Sequence, residues 1–553
     1  MPLNELRGRI GQAIEKYLID YREFIPRSRR DEKLFRDPIF GFQRVKPHEV
    51  LLIDSPLFQR LRGLSQTALA YLTYPASIHT RFEHSINCLN LAQRIIDALI
   101  NRGIAINPVD IAEVRIAALL HDIGHCIFSH ASEFFYRDFA ELEEALDDDR
   151  VKNGYQSESE LINYCIITSC QFKEYLWDPI VETCQADCDY LRTINLERIA
   201  QIIIGISPND DPDRRFLGEI INGPIDIDKL DYITRDAYFT GINLNIDIER
   251  LLPSLRVTDV PNPERARSEK RLVVDHRGIA VVEQLLFARM VLYDSVYHHH
   301  KVRAATSLLQ EIFKTYSHEP YWPTRSGMLE SVSDFLEMDQ YDFFGNRYPN
   351  RSLQKDILSL KSRMLPERAL VIAPRTLTNV QSHTTWSNIY SNYSNREDLP
   401  GRQNSEAYFS TIKAKIRTYA QQAGAMDIMD QDIIIDVPDP PGYSRIGRET
   451  LIQIVSNYVE PLANLFPFQK VVNNYSNQYK YRTYIFSKQK WREHVAYGAF
   501  RAFSENGIQL NDLSLILAHQ DVGLTRELLN TYGIAIPDWR TDFYIPDIPE
   551  HDA

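Results

Sequence analysis

Cysteine is scarce in this chain. The six, at positions 88, 126, 165, 170, 184 and 188 of 553, have neither the paired spacing of a zinc finger nor the density of a disulfide framework. Cys184 and Cys188 could share a helix face and are read as two buried thiols. Such sparse thiols point to a reducing cytoplasm. An uninterrupted run of about 18 apolar residues is also missing, so no transmembrane helix is expected. The N-terminus, Met1-Pro2-Leu3-Asn4-Glu5, lacks the basic-then-apolar order of a signal peptide. Basic charge is in deficit as well: 62 Lys and Arg against 75 Asp and Glu give −13 at pH 7. That argues against broad nucleic-acid coating, which needs concentrated cations, and leaves room for a small basic pocket. No internal repeat is visible.

What remains is an ordinary globular composition, 44% hydrophobic and 25% charged, on a chain long enough for two to four domains. From about residue 50 to 310 the apolar spacing is helical. Leu89, Ala92, Ile95, Ile96 and Leu99 form one stripe, and Pro108-Val109-Asp110 opens a helix that ends by delivering His121-Asp122. Asn222-Gly223-Pro224 breaks the chain before the segment carrying Asp228. Residues 280–316 read as one long helix, and the acidic run Glu141 to Arg150 as a solvated helix end or loop. Beyond about 365 the texture changes: 368–373, 432–437 and 481–486 read as strands, and the Ser/Thr/Asn-rich stretch 376–405 as a loop. The expected fold class is mainly α, with a smaller α+β C-terminal region at 366–553, a helical core at 46–365 and a helical extension at 1–45.

Chemistry concentrates in three segments. Five of the fifteen histidines (His79, His84, His121, His125 and His130) fall within about a tenth of the chain. Two imidazoles and two carboxylates, His84, His121, Asp122 and Asp228, make a donor set for one divalent transition metal, Mn, Fe, Zn or Ni before Ca. Four protein ligands leave open positions only on a five- or six-coordinate ion, which favours a catalytic site over a closed structural zinc. Adjacent His and Asp can share one ion only where the backbone kinks, and Gly124 suits that. His125 and His130 are acid-base candidates, with Glu133 one turn beyond His130 to orient it.

His84, His121-Asp122 and Asp228 resemble the H…HD…D signature of the HD-domain phosphohydrolases. More narrowly they resemble the deoxynucleoside triphosphate triphosphohydrolases, which include bacterial dGTP triphosphohydrolases and the vertebrate enzyme that joins a SAM domain to an HD domain. The matching stretches are Pro56 to Arg62, Tyr74 to Ser85, Leu120 to His130, Asp226 to Gly241 and Tyr297 to Lys301. The resemblance implies a helical HD fold, one divalent metal per site (with Mg alongside substrate a further candidate), a dNTP substrate, dGTP first among them, and products deoxynucleoside and inorganic triphosphate. It implies a homo-oligomer too. Residue by residue, Arg81 matches an α-phosphate contact and Arg289 a γ-phosphate contact. Lys229, Tyr232 and Asp236, at i, i+3 and i+7 on one helix face, match phosphate contacts and a residue near the sugar 3′ position. Gln66 matches a sugar contact and Tyr297 the ring beneath the deoxyribose. The chain departs from the SAM-and-HD enzyme at three places: Glu133 stands for aspartate, Tyr155 for a pocket histidine, and Tyr293 for a phosphate-facing histidine. The roughly 45 residues before the core are too few for a SAM domain. Two other readings use the same pocket: an HD-type phosphodiesterase or single-strand nuclease, and a nucleotide sensor without turnover.

Overall fold

The structure is a computed structural model describing residues 2–542 except 27, 29–30, 137–138, 147, 149–156, 185–188, 263–264, 395–398, 439–448, 456–457, 466–481 and 520–521. Tyr155, Cys188 and the end of the acidic run lie outside the described residues.

The chain forms two compact units. One comprises Met1–Leu292, Ile312–Ile357 and Ser444–Phe466, the other Tyr293–Glu311, Leu358–Tyr443 and Pro467–Ala553. The strands are β1 (Lys33–Asp37), β2 (Gly41–Val45), β3 (Leu255–Asn262), β4 (Arg267–Asp275), β5 (Glu367–Ile372), β6 (Ile433–Asp436), β7 (Leu451–Val455), β8 (Tyr458–Pro461) and β9 (Thr483–Ser487). They pair as β1-β2, β3-β4-β7-β8 and β5-β9-β6.

The first unit is mostly helical. Its first helix, α1 (Pro2–Leu18), buries Leu3, Leu6, Ile10, Ile14 and Leu18 along one stripe. The hairpin β1-β2 follows, turning at Gly41, whose φ of +77° suits glycine. The 1–45 extension is thus helical only in its first half. Its second half alternates, Phe35, Asp37, Gln43 and Val45 facing inward and Leu34, Arg36, Phe42 and Arg44 outward, which is a strand period. Four helices carry the chemistry: α2 (Arg81–Ile100), α3 (Pro108–Leu120), α4 (His130–Tyr136) and, after α5 (Glu158–Ile167), α6 (Ile227–Thr240). Each long one begins as its sequence directs. Thr80 and Glu83 form a capping box on α2, Asn107 caps α3 ahead of Pro108, and Asp226 caps α6, which stops at Gly241 in the left-handed region.

Three further expectations need correction. Residues 280–316 are two helices, α7 (Ile279–Leu292) and α8 (His300–Tyr316), separated by a π turn over Tyr293–Tyr297 in which the His298 N–H donates to the Tyr293 carbonyl, five residues back, at 2.8 Å. The 376–405 stretch is not a loop: it holds α9 (Val380–Ser394) and the start of α10 (Leu399–Gln422). Its polar composition conceals an aromatic stripe, since Trp386, Ile389, Tyr390 and Tyr393 recur every three or four residues and pack into the core with Phe409, Ile412 and Ile416. Glu141 is not simply solvated either. It lies in the helix Ala140–Leu146, pairs with Arg9 and accepts hydrogen bonds from Ser331 Oγ (2.6 Å) and Val332 N (3.0 Å).

In the second unit the three expected strands form one antiparallel sheet, β5-β9-β6, buried on both faces. Leu370, Ile372, Ile433 and Ile485 face Ile412 and Ile416 of α10 and Phe500 and Phe503 of α11 (Arg492–Glu505). Val371, Ile434, Tyr484 and Phe486 face Ala304 and Ala518. A sheet covered on both sides needs apolar residues at every position, which is why these segments read as continuous apolar runs.

Candidate metal centre and acid-base cluster

The first turn of α2 places Arg81 and His84 one above the other, both buried. Helix α3 ends at Leu120, so His121 and Asp122 fall on the turn that leaves it. That turn is held from outside. The buried Arg60 guanidinium donates to the carbonyls of Ile123 and His125, both at 2.7 Å, and Asn163 of α5 donates to those of Leu120 (3.0 Å) and His121. Gly124 serves close approach rather than backbone freedom: a Cβ there would lie 2.4 Å from Ser159 O and 2.6 Å from Asn163 N. Gly124→Ala should therefore destabilise the protein by about 1–3 kcal/mol, read as a lower urea midpoint at unchanged slope.

The four expected metal ligands converge. His84 Nε2 lies 3.2 Å from His121 Nε2, 3.2 Å from Asp228 Oδ1 and 3.5 Å from Asp122 Oδ2. His121 Nε2 is 3.6 Å from Asp122 Oδ1 and 4.0 Å from Asp228 Oδ1. The other nitrogen of each ring is engaged: His84 Nδ1 sits 2.6 Å from Asp231 Oδ2 and His121 Nδ1 2.8 Å from Ala118 O. A carbonyl cannot donate and an ionised carboxylate only accepts, so in its neutral form each ring carries its proton on Nδ1 and turns Nε2 toward one point. This tautomer suits metal ligation, and the donor chemistry fits one divalent ion. Cys88, not among the expected ligands, lies nearby, but its Sγ is 3.8 Å from Nδ1 and 3.7 Å from Nε2 of His84. It therefore packs against the ring rather than facing the Nε2 lone pair, and burial pushes its thiol up to about 12.

Electrostatics holds the carboxylates ionised. Burial alone would raise Asp122, but the Arg81 guanidinium at 2.7 Å, then His121 and His125, override it and keep the carboxyl well below the usual range. Arg81 also donates to Ser129 Oγ at 2.7 Å, and Ser129 Oγ donates to Ser65 O. Phe128 and Ser129 both have positive φ (59° and 50°), which places strain between His121-Asp122 and α4.

His125 extends the cluster. Its Nε2 is 3.3 Å from Asp122 Oδ1 and its Nδ1 3.2 Å from Glu133 Oε1, while Glu133 Oε2 lies 2.8 Å from His130 Nδ1. Glu133 is thus a buried carboxylate shared by two imidazoles. Burial would raise it, but His130 and His125 hold it well below the carboxylate range. In return the Glu133 charge, outweighing desolvation, raises His130 above an ordinary imidazole. The His130 side chain is 69% exposed, so it is open to solvent and to a ligand.

The remaining expected contacts are placed as follows. Lys229 turns back onto its own helix start, donating to Asp226 and, at 2.9 Å, to Gly223 O. Asp236 is bound to His79 Nε2 at 2.7 Å, and His79 stacks on Phe239. Arg289 Nε donates to Tyr232 Oη at 3.0 Å. Gln66 Oε1 is buried and accepts no hydrogen bond among the described residues. Tyr293 and Tyr297 sit on the π turn and belong to the second unit.

The HD domain family matches residues 81–193, and the HD associated region matches 246–390. The chain therefore carries an HD domain followed by an HD associated region. The HD match begins on Arg81 and covers His84, His121 and Asp122; Asp228 falls between the two matches and reaches the site through the fold. The protein is 29% identical over 306 residues to the deoxynucleoside triphosphate triphosphohydrolase SAMHD1 of Xenopus laevis, covering 51% of this chain and 45% of that one. It is 29% identical over 297 residues to SAMHD1 of Homo sapiens, covering 51% and 44%. An uncharacterised protein of Methanocaldococcus jannaschii is 29% identical over 279 residues, covering 50% and 48%. The chain thus spans about half the length of these relatives. Two crystal structures share the fold: a hypothetical protein from Aquifex aeolicus (TM-score 0.55, 23% identity, covering 85% of this chain and 100% of that one) and a phosphohydrolase from Bacteroides thetaiotaomicron (TM-score 0.56, 21% identity, covering 83% and 100%). Among the described residues no helix is long and apolar enough to cross a membrane.

Proposed function

We propose that this protein hydrolyses deoxynucleoside triphosphates to a deoxynucleoside and inorganic triphosphate, using one divalent metal, with dGTP the first substrate to test. The observation that carries the reading is the pair of imidazoles with engaged Nδ1 atoms, whose Nε2 atoms meet at 3.2 Å beside two carboxylates. His84, His121, Asp122 and Asp228 would hold one divalent ion there, which when bound would supply an acidified water and a Lewis acid for a phosphoryl oxygen. Arg81 fixes Asp122 and keeps positive charge beside the ion's position. Tyr232 and Arg289, hydrogen-bonded to each other, offer donors for the outer phosphates on the same unit. His130 gives its Nδ1–H to Glu133, and in its protonated form holds a second proton on Nε2 for the departing 5′-oxygen. Kinship over half the chain with enzymes named for triphosphate release supports the substrate class.

A two-metal phosphodiesterase is the second reading, because the ligand atoms of His125, His130 and Glu133 lie within 4.8 Å of one another and could hold a further ion. Purified protein incubated with Mn²⁺ and, in separate reactions, each dNTP and a single-stranded oligodeoxynucleotide, followed by chromatography and metal analysis, separates the two. The proposal expects one ion per chain and nucleoside as product. Two ions per chain with phosphodiester cleavage selects the second reading, and no turnover of any nucleotide rejects both.

A further inference from the structure

We infer that the N-terminal hairpin β1-β2 is the outer support of the metal centre, and that its order is coupled to metal affinity. The inference rests on the metal reading above. Two hydrogen-bonded arms run from the hairpin to His84, and all six residues concerned are buried. In the first, Asp37 Oδ2 lies 2.9 Å from an Arg235 guanidinium nitrogen; Arg235 donates to both oxygens of Asp231, at 2.8 and 3.0 Å; and Asp231 Oδ2 accepts from His84 Nδ1 at 2.6 Å. In the second, Gln43 Nε2 donates to Asn87 Oδ1 at 2.7 Å, and Asn87 Nδ2 donates to Asp231 Oδ1. Asp37 comes from β1, Gln43 from β2, and the arms meet on Asp231. Asp37, Gln43, Asn87, Asp231, Arg235 and His84 are all at most 6% exposed.

The charges explain the design. A guanidinium facing Asp231 alone would draw most of that carboxylate's electron density away from His84. Asp37 shares the guanidinium, so Asp231 stays a strong acceptor for the His84 Nδ1–H. A strong acceptor there fixes the ring's tautomer and angle and makes Nε2 the better ligand. The two Asp37 oxygens divide their work: Oδ1 closes the hairpin turn by accepting from the Ile39 and Phe40 amides, at 2.8 and 2.9 Å, and Oδ2 holds Arg235. Turn and metal ligand therefore share one side chain. By linkage, an ion that fixes His84 must also steady the turn.

The test is Mn²⁺ alone on the full chain, with free Mn²⁺ followed by its electron paramagnetic resonance signal. Asp37→Asn keeps an Oδ1 for the two turn amides and removes the charge facing Arg235, and should weaken Mn²⁺ binding roughly tenfold. Gln43→Met cuts the other arm at similar volume and should weaken it several-fold. In wild type, saturating Mn²⁺ should slow hydrogen exchange of the 33–45 amides, a readout needing no variant if Asp37→Asn fails to fold. Wild-type affinity in both variants, or unchanged exchange across the hairpin, overturns the inference while leaving the metal reading intact. A wild-type chain that takes up no Mn²⁺ overturns both.

Discussion

His121→Ala should abolish metal uptake and lower turnover by more than about a thousandfold, while the protein keeps its fold. This ligand is the cleanest to remove. The His121 Nδ1–H bonds only a carbonyl of its own helix, Ala118 O, and the ring is partly accessible. Asp122 would be a poor choice, because its loss strands the buried Arg81 guanidinium, and a buried charge without its partner costs several kcal/mol. His84 is no better, sitting at 0% exposure with Asp231 behind it. Metal content and circular dichroism on the same preparation make the check. Retained metal in a folded His121→Ala protein contradicts the assigned site.

His130→Ala should leave metal binding in place and lower kcat by about 10²- to 10⁴-fold, the usual worth of a positioned general acid. Buried Glu133 loses the nearer of its two imidazoles and keeps His125, so a moderate drop in stability is expected as well, and kcat is read on protein shown by circular dichroism to be folded. Glu133→Gln gives a companion result with a definite sign. The Glu133 carboxylate raises His130, so the imidazolium persists to higher pH, and activity needing that proton falls as pH rises through the raised value. Removing the charge lowers it, and the basic limb of the kcat profile should move to lower pH while the plateau is partly kept. An unmoved limb would assign the proton to another group.

The four candidate metal ligands were legible as residue types because imidazoles and carboxylates clustered in short, turn-bounded segments. Their partners were not. Asp231 looks like one more acid in the run Asp226, Asp228, Asp231, and only the fold shows that Asp228 faces Nε2 of His84 while Asp231, one turn on, faces Nδ1 of the same ring. Lys229 matches a phosphate contact by resemblance, and in the structure it pairs with the cap residue Asp226, three positions away. Asp236 likewise is bound to His79, a pairing that 157 residues of separation conceal. In the second unit the strands announced themselves because both sheet faces are buried, whereas α9 was hidden by the Ser, Thr and Asn between its aromatic residues. The break between α7 and α8 was invisible because an apolar period survives one π turn.

The most direct test of the central claim is hydrolysis of dGTP with Mn²⁺ in ¹⁸O-water, followed by ³¹P nuclear magnetic resonance and mass analysis of the products. Attack at the α-phosphorus beside the His84, His121, Asp122 and Asp228 set predicts intact tripolyphosphate carrying one ¹⁸O at a terminal phosphorus, with unlabelled deoxyguanosine. Pyrophosphate with deoxyguanosine monophosphate, orthophosphate with the diphosphate, or ¹⁸O in the nucleoside would each contradict it.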